Sequence, residues 1–261
     1  MKKHIVFYSG GLGSWATAKR VIERNGKENV ILLFTDTLIE DEDLYRFLDD
    51  TVKKFQCEYV RISDGRTPWQ VYKDVRFLGN SRQANCSHEL KQKPAKKYIK
   101  ENFNPDQCVL YLGIDWSEEH RTKAPKKNWM PYQIEFPMCE EPYLDKLDII
   151  KMLQKEQIEL PRLYKMGFSH NNCGGFCCRA GIGHFANLYE QLPERYIDCE
   201  KKEQEIREYL NKDVTMLKKT KNGITFPYSL ADLRKDLDKK LDVDRFDIGG
   251  CGCFVTQEGN T

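Results

Sequence analysis

The sequence lacks any apolar run approaching the length of a membrane span, and the run after Met1-Lys2-Lys3 is too short for a signal-peptide core. Neither a membrane partner nor a secretory route is expected, and the chain is read as cytoplasmic. It also lacks an excess of either charge, with 42 Lys and Arg against 40 Asp and Glu and a net of +2. A chain-wide signal for nucleic acid is therefore missing, which leaves such a partner to local patches. No internal repeat or low-complexity linker interrupts the sequence. With 40% hydrophobic residues, the 261-residue chain can bury the core of one large or two small domains. Ten cysteines without a secretion signal argue for thiols, redox chemistry or metal rather than a disulfide framework.

The most informative stretch runs from His4 to Trp15. His4 to Tyr8 reads as a buried strand, and Ser9-Gly10-Gly11-Leu12-Gly13-Ser14 as a tight turn. From Trp15 the apolar positions Trp15, Ala18, Val21 and Ile22 take helical spacing, with Gly26 as a stop. Glycines in the turn let backbone approach a ligand closely. The free N–H groups and dipole of the following helix favour an anion there. The pattern is a phosphate cradle by chemistry, the competing reading being a structural strand–helix turn. Gly11-x-Gly13-x-x-Ala16 also fits a dinucleotide fingerprint, with Asp36 at the end of the next strand as ribose ligand.

Further strands are predicted at Asn29 to Thr35, Glu58 to Ile62, Cys108 to Ile114 and Tyr132 to Phe136. Thr37 and Glu40 are expected to form a capping box for a helix carrying the stripe Leu44, Phe47, Leu48, Val52 and Phe55. The acidic run Glu40 to Asp43 reads as its solvated first turn. Alternating strands and helices imply an α/β fold, a doubly wound, mostly parallel five-stranded sheet with ligands at the carboxyl ends of the strands. The expected division is a nucleotide-binding α/β domain over residues 1–140 and a mostly helical, cysteine-containing region over residues 141–261. That second region is expected to have no large core of its own. Its helices are placed on Leu144, Leu147, Ile150, Leu153 and Ile158, and on Pro193 to Lys212.

A basic segment between the third and fourth strands holds Cys86-Ser87-His88-Glu89-Leu90-Lys91-Gln92-Lys93-Pro94. Arg82 and Lys91 flank the cysteine and are candidates for an anionic substrate. Lys96, Lys97 and Lys100 read as a solvated helix face. Farther on, Cys173-x-x-x-Cys177 and Cys251-x-Cys253 lie among glycines. Together they supply four thiolates, the number used by structural zinc or an iron–sulfur cluster. Cys57, Cys108, Cys139 and Cys199 read as ordinary thiols, and Cys178 stays open between the two roles.

Ser9-Gly10-Gly11-Leu12-Gly13-Ser14 resembles the Ser-Gly-Gly-x-Asp-Ser loop of the PP-loop ATP pyrophosphatase superfamily, Gly13 standing where that loop has Asp. Lys91-x-x-Pro94 and Gly113-Ile114-Asp115-Trp116-Ser117-Glu118-Glu119-His120-Arg121 are similar to stretches of its phosphoadenosine phosphosulfate (PAPS) reductase-like family. The resemblance implies that Ser9 to Trp15, Asp36 and Gly113 bind the nucleotide, and that Arg121 and Lys91 act on phosphates or substrate. It also implies a metal site of Cys86, Cys173 and Cys177, completed here by Cys253, for an iron–sulfur cluster or Zn²⁺.

The function so implied uses ATP and Mg²⁺ to adenylate an unidentified acceptor with release of pyrophosphate. One alternative is thiol-dependent reduction of a sulfonucleotide, although Cys251 lacks the Glu-Cys-Gly-Leu-His-like setting of the reductases' nucleophile. Another is a non-catalytic, metal-stabilised nucleotide-binding module. Assembly as a homo-oligomer is left open.

Overall fold

The computed structural model describes residues 2–250. Five strands, β1 (Lys3–Phe7), β2 (Val30–Asp36), β3 (Glu58–Ser63), β4 (Cys108–Tyr111) and β5 (Gln133–Glu135), form one sheet in the order β3-β2-β1-β4-β5. Every neighbouring pair is parallel. All seven residues of β2 are buried, as expected of a strand covered on both faces. Val6, Leu32, Phe34 and Tyr111 pack on one side with Trp15, Leu44 and Phe47. Ile5, Phe7, Leu33 and Leu110 pack on the other with Ala95, Ile99 and Trp129. The doubly wound α/β reading holds.

The helices of the first half are α1 (Leu12–Asn25), α2 (Glu42–Phe55), α3 (Pro68–Asp74), α4 (Asn85–Ser87), α5 (Lys93–Asn102) and α6 (Lys123–Asn128). A π-helical turn, His88–Gln92, joins α4 to α5. Those of the second half are α7 (Lys146–Lys155), α8 (Arg162–Lys165), α9 (Ile182–Gln191), α10 (Pro193–Leu210) and α11 (Leu230–Asp238). Gly26 ends α1 at φ 79°, a conformation that glycine adopts without strain. In α7 the buried positions are Ile149 and Leu153, whereas Leu147 is exposed. These two residues join the core around α1 and α2.

Three expectations are corrected. Asp41, not Thr37, caps α2, its Oδ1 accepting from Asp43 N at 3.0 Å, while Thr37 Oγ1 donates to Glu40 Oε1 at 2.9 Å. The second half does build its own core, in which Phe168, Phe176, Phe185, Tyr196, Leu230 and Leu233 pack with Trp69 and Tyr72 of α3. It also contains an antiparallel hairpin, β6 (Leu217–Lys221) and β7 (Ile224–Tyr228). Asn222 and Gly223 turn it at φ 52° and 77°, the positive values that an Asn-Gly turn supplies. Glu203 of α10 anchors that hairpin, accepting from Met216 N at 2.9 Å and Leu230 N at 2.7 Å.

In the acidic run at the start of α2, Glu40 and Asp41 are buried rather than solvated, whereas Glu42 is exposed. Asp41 is fully buried and accepts from Arg162 Nε at 2.7 Å, Arg162 Nη2 at 2.9 Å and Arg195 Nη1 at 2.8 Å. Burial pushes its pKa up, but the hydrogen bonds from the two guanidinium groups outweigh that and hold the carboxyl below its ordinary value. The stabilisation is therefore complete above the unfolded pKa of about 4 and is lost as pH falls through the lowered folded value. Asp41→Asn should cost about 3 kcal/mol at neutral pH, because it leaves two cations facing a neutral amide. Urea melts of the two proteins should converge in acid. Equal midpoints at neutral pH would contradict this role.

Candidate functional site

The order of strands reverses between β1 and β4, the place in an open α/β sheet where ligands bind. A cleft of about 320 Å³ opens there. It is lined by Ser9, Gly11, Leu12, Gly13 and Ser14, by Gly113 and Arg121 beyond β4, and by Lys91 from the π-helical turn. The structure thus brings Ser9 and Arg121, 112 positions apart in the chain, to one cleft.

Gly10 holds φ 74°, turning the chain from β1 into α1, and a Cβ there would lie 3.0 Å from Leu44 Cγ. The loop is braced by Gly11 N donating to Ser14 Oγ at 3.2 Å and by Leu12 N donating to Tyr164 Oη at 3.1 Å. The amides of Gly13 and Ser14 fall in the first turn of α1, where no intrahelical carbonyl is available. A Cβ on Gly113 would sit 2.8 Å from Gly13 O, so the backbones after β1 and β4 touch. A Cβ on Gly13 itself would stand 3.3 Å from Gly113 O, leaving little room for the Asp of the related loop.

Lys91 is buried, with its Nζ 3.7 Å from Glu40 Oε1. Arg121 pairs with Glu118, which also lines the cleft. Four residues of the cleft wall escaped sequence reasoning: Lys146, Tyr164, His170 and Asn171. Lys146 lies over the Tyr164 ring at 4.6 Å. Asn171 is buried and donates from Nδ2 to Gly10 O at 3.0 Å, which fixes Oδ1 as an acceptor that has no hydrogen-bond partner among the described residues. His170 stacks on His184 with ring centroids 5.3 Å apart. Burial first, then the charges of His184, Lys91 and Lys146, lowers its pKa to about 3, so the ring is neutral. The only sequence signal for this wall was the polar cluster Ser169-His170-Asn171-Asn172 beside the cysteines.

Other candidates lie elsewhere. Trp15 is a core residue, fully buried, and reaches the loop only through its N–H, which donates to Gly11 O at 3.0 Å. Asp36 does not line the cleft. Its carboxylate accepts from Arg61, from Tyr45 Oη at 2.9 Å and from Leu38 N at 2.8 Å. The geometry therefore does not present it to a ribose. Arg82 lies outside the cleft too.

Cys86, Cys173, Cys177 and Cys178 border one small cavity, to which Lys91 also contributes. Cys86 Sγ lies 3.8 Å from Cys178 Sγ and accepts from Tyr72 Oη at 3.2 Å. Hydrogen bonding with Cys86 and then burial push the Cys178 thiol up, so it is held protonated. Among the described residues, no three His, Cys, Asp or Glu side chains converge as a metal site requires. Cys251 and Cys253 lie outside the described residues. The last described residue, Gly250, donates to Arg179 O at 3.4 Å, next to Cys178.

A curated relative, an uncharacterized protein of Methanocaldococcus jannaschii, is 26% identical over 214 residues, covering 81% of this chain and 43% of its own length. The chain thus spans less than half the length of that relative. A solved structure, the phosphoadenylyl-sulfate (PAPS) reductase of Candida auris in complex with phosphate, superposes with a TM-score of 0.42 at 14% identity, over 64% of this chain and 78% of that one. Residues 3–180, which include the glycine loop, Lys91, Gly113 and Arg121, match the phosphoadenosine phosphosulfate reductase domain, and the chain belongs to that family.

Proposed function

We propose that the protein is a nucleotide-binding enzyme that uses ATP to adenylate an acceptor with release of pyrophosphate. The observation that carries this reading is the convergence of the glycine loop, Lys91 and Arg121 on one cleft. In such a reaction the acceptor attacks the α-phosphate and the bond to the pyrophosphate breaks. Charge then grows on the leaving phosphates. The Gly13 and Ser14 amides at the start of α1 are suited to receive it, with Lys91 and Arg121 as the cations of the site. Mg²⁺ would share that charge, and Asp115 and Glu118 are the carboxylates the cleft offers it. Asn171 Oδ1 and the neutral His170 ring would orient the acceptor or the base by hydrogen bonds.

Reduction of a sulfonucleotide is the second reading, favoured by the family. It needs a thiol at the sulfate sulfur, and no cysteine among the described residues lines the cleft. Cys251 or Cys253 would have to supply it. A cofactor at the cysteines is a proposal of the same standing, with Cys86, Cys173, Cys177 and Cys253 as ligands of an iron–sulfur cluster or Zn²⁺. The described residues do not complete that set, and no catalytic step is drawn through it.

Calorimetry should show ATP binding to the wild-type protein and a loss of tenfold or more in Gly11→Val. A side chain there crowds Tyr164 Oη, 3.3 Å from the Cβ position, and blocks phosphate. Equal affinities would sink the loop assignment. Wild-type protein given PAPS and a thiol reductant should release no sulfite, whereas ATP with the true acceptor should yield pyrophosphate. Sulfite formed by wild type and abolished in Cys251→Ser would reverse the ranking. Metal analysis of anaerobically purified protein should find iron or zinc, reduced in Cys173→Ser together with the melting temperature. A stable protein containing neither metal would remove the cofactor.

A further inference from the structure

Arg82, expected to meet an anionic substrate, lies on a second cavity, of about 490 Å³. This cavity opens between the segment after α3 and the β6–β7 hairpin, and it shares no lining residue with the nucleotide cleft. Its volume falls in the range of about 300–1,000 Å³ typical of ligand sites.

Four cations border it: Arg76, Arg82, Lys212 and Lys218. All four are exposed. Among the described residues none of them is in an ion pair, in a chain where most other arginines are. The carboxylate on the cavity wall, Asp213, is already taken by Arg207 at 2.6 Å. Four like charges around one concavity repel one another, and an anion seated among them relieves that repulsion. The near-zero net charge of the chain conceals this local excess.

The cavity also has a flat apolar surface. Phe226 of β7 lines it and is 40% exposed, an unusual position for a phenylalanine beside unpaired cations. The Arg76 guanidinium lies over the Tyr209 ring at 5.3 Å, which holds a planar donor at the rim. Forked guanidinium donors suit phosphate oxygens, and an exposed aromatic face suits a stacked base.

We infer that this cavity binds a nucleotide, either free or as a unit of a single-stranded nucleic acid, with its phosphate among Arg76, Arg82, Lys212 and Lys218 and its base on Phe226. The site is independent of the glycine loop and of the reaction proposed for it.

Fluorescence anisotropy of the full chain with a labelled oligodeoxythymidylate tests this, with AMP and inorganic phosphate as competitors. Each measurement is repeated in Gly11→Val to separate binding here from binding at the cleft. Binding should persist in Gly11→Val and weaken as salt is raised, with a log–log slope of about −0.7 for each phosphate that the cations neutralise. The double variant Arg82→Glu, Lys218→Glu should lose tenfold or more in affinity, and Arg82→Gln several-fold, each with an unchanged melting temperature. Phe226→Ala should weaken binding several-fold without changing the slope. Competition by AMP in Gly11→Val identifies a free nucleotide as the ligand, and retained oligonucleotide binding without it identifies a strand. The inference is overturned if neither ligand binds, if the charge variants leave binding unchanged, or if phosphate alone competes as well as AMP.

Discussion

Two adjacent carboxylates buried at the end of β2 hold the rest of the structure together. Removing a charge from water costs several kcal/mol unless partners replace the lost hydration. Glu40 and Asp41 obtain theirs from across the chain. Glu40 accepts from Thr37 Oγ1 and from the N–H of Cys173, and lies beside Lys91. Asp41 takes Arg162 and Arg195. Arg195 in turn donates to Gly174 O. Through these bonds the sheet grips the second half of the chain at three places and fixes the lysine that enters the cleft. The loop that meets Glu40 is shaped for it: Cys173, Gly174 and Gly175 all have positive φ, and a Cβ at Gly174 would lie 2.6 Å from Ile39 O.

The cleft is a consequence of that joint. Its floor comes from the glycine turn and the chain after β4, pressed together at Gly13 and Gly113. Its far wall, Tyr164 and residues 169–172, comes from the segment that Arg162 and Glu40 secure. Tyr164 Oη and Asn171 Nδ2 bond directly to the loop backbone at Leu12 and Gly10. The glycine loop and the second half therefore line one cleft.

How much of this was legible in the sequence depended on whether the signal was local. The five strands and the glycine loop were, because apolar runs and turn residues report on their own neighbourhood. Lys91, Gly113 and Arg121, which line the cleft, stood out through their short motifs. Glu40 and Asp41 were misread as a solvated helix start, since four acidic residues in a row look alike until their partners, up to 154 positions away at Arg195, are in place. The pairing of Asp36 was hidden for the same reason: its partner Arg61 comes from the next strand. The core of the second half was missed because its residues are scattered from Trp69 to Val243, and the periodic positions Tyr196, Cys199, Ile206 and Leu210 sit in a strongly charged helix. The hairpin was also missed, although Asn222-Gly223 is a turn signal.

The central claim is that the glycine loop and the second half of the chain bind one nucleotide together. Hydrogen–deuterium exchange with and without ATP tests it most directly. The account predicts slower exchange on ATP addition at residues 9–14, 113–121 and 169–172 together. Protection confined to the loop, or protection that leaves all three segments unchanged while another region slows, would contradict it.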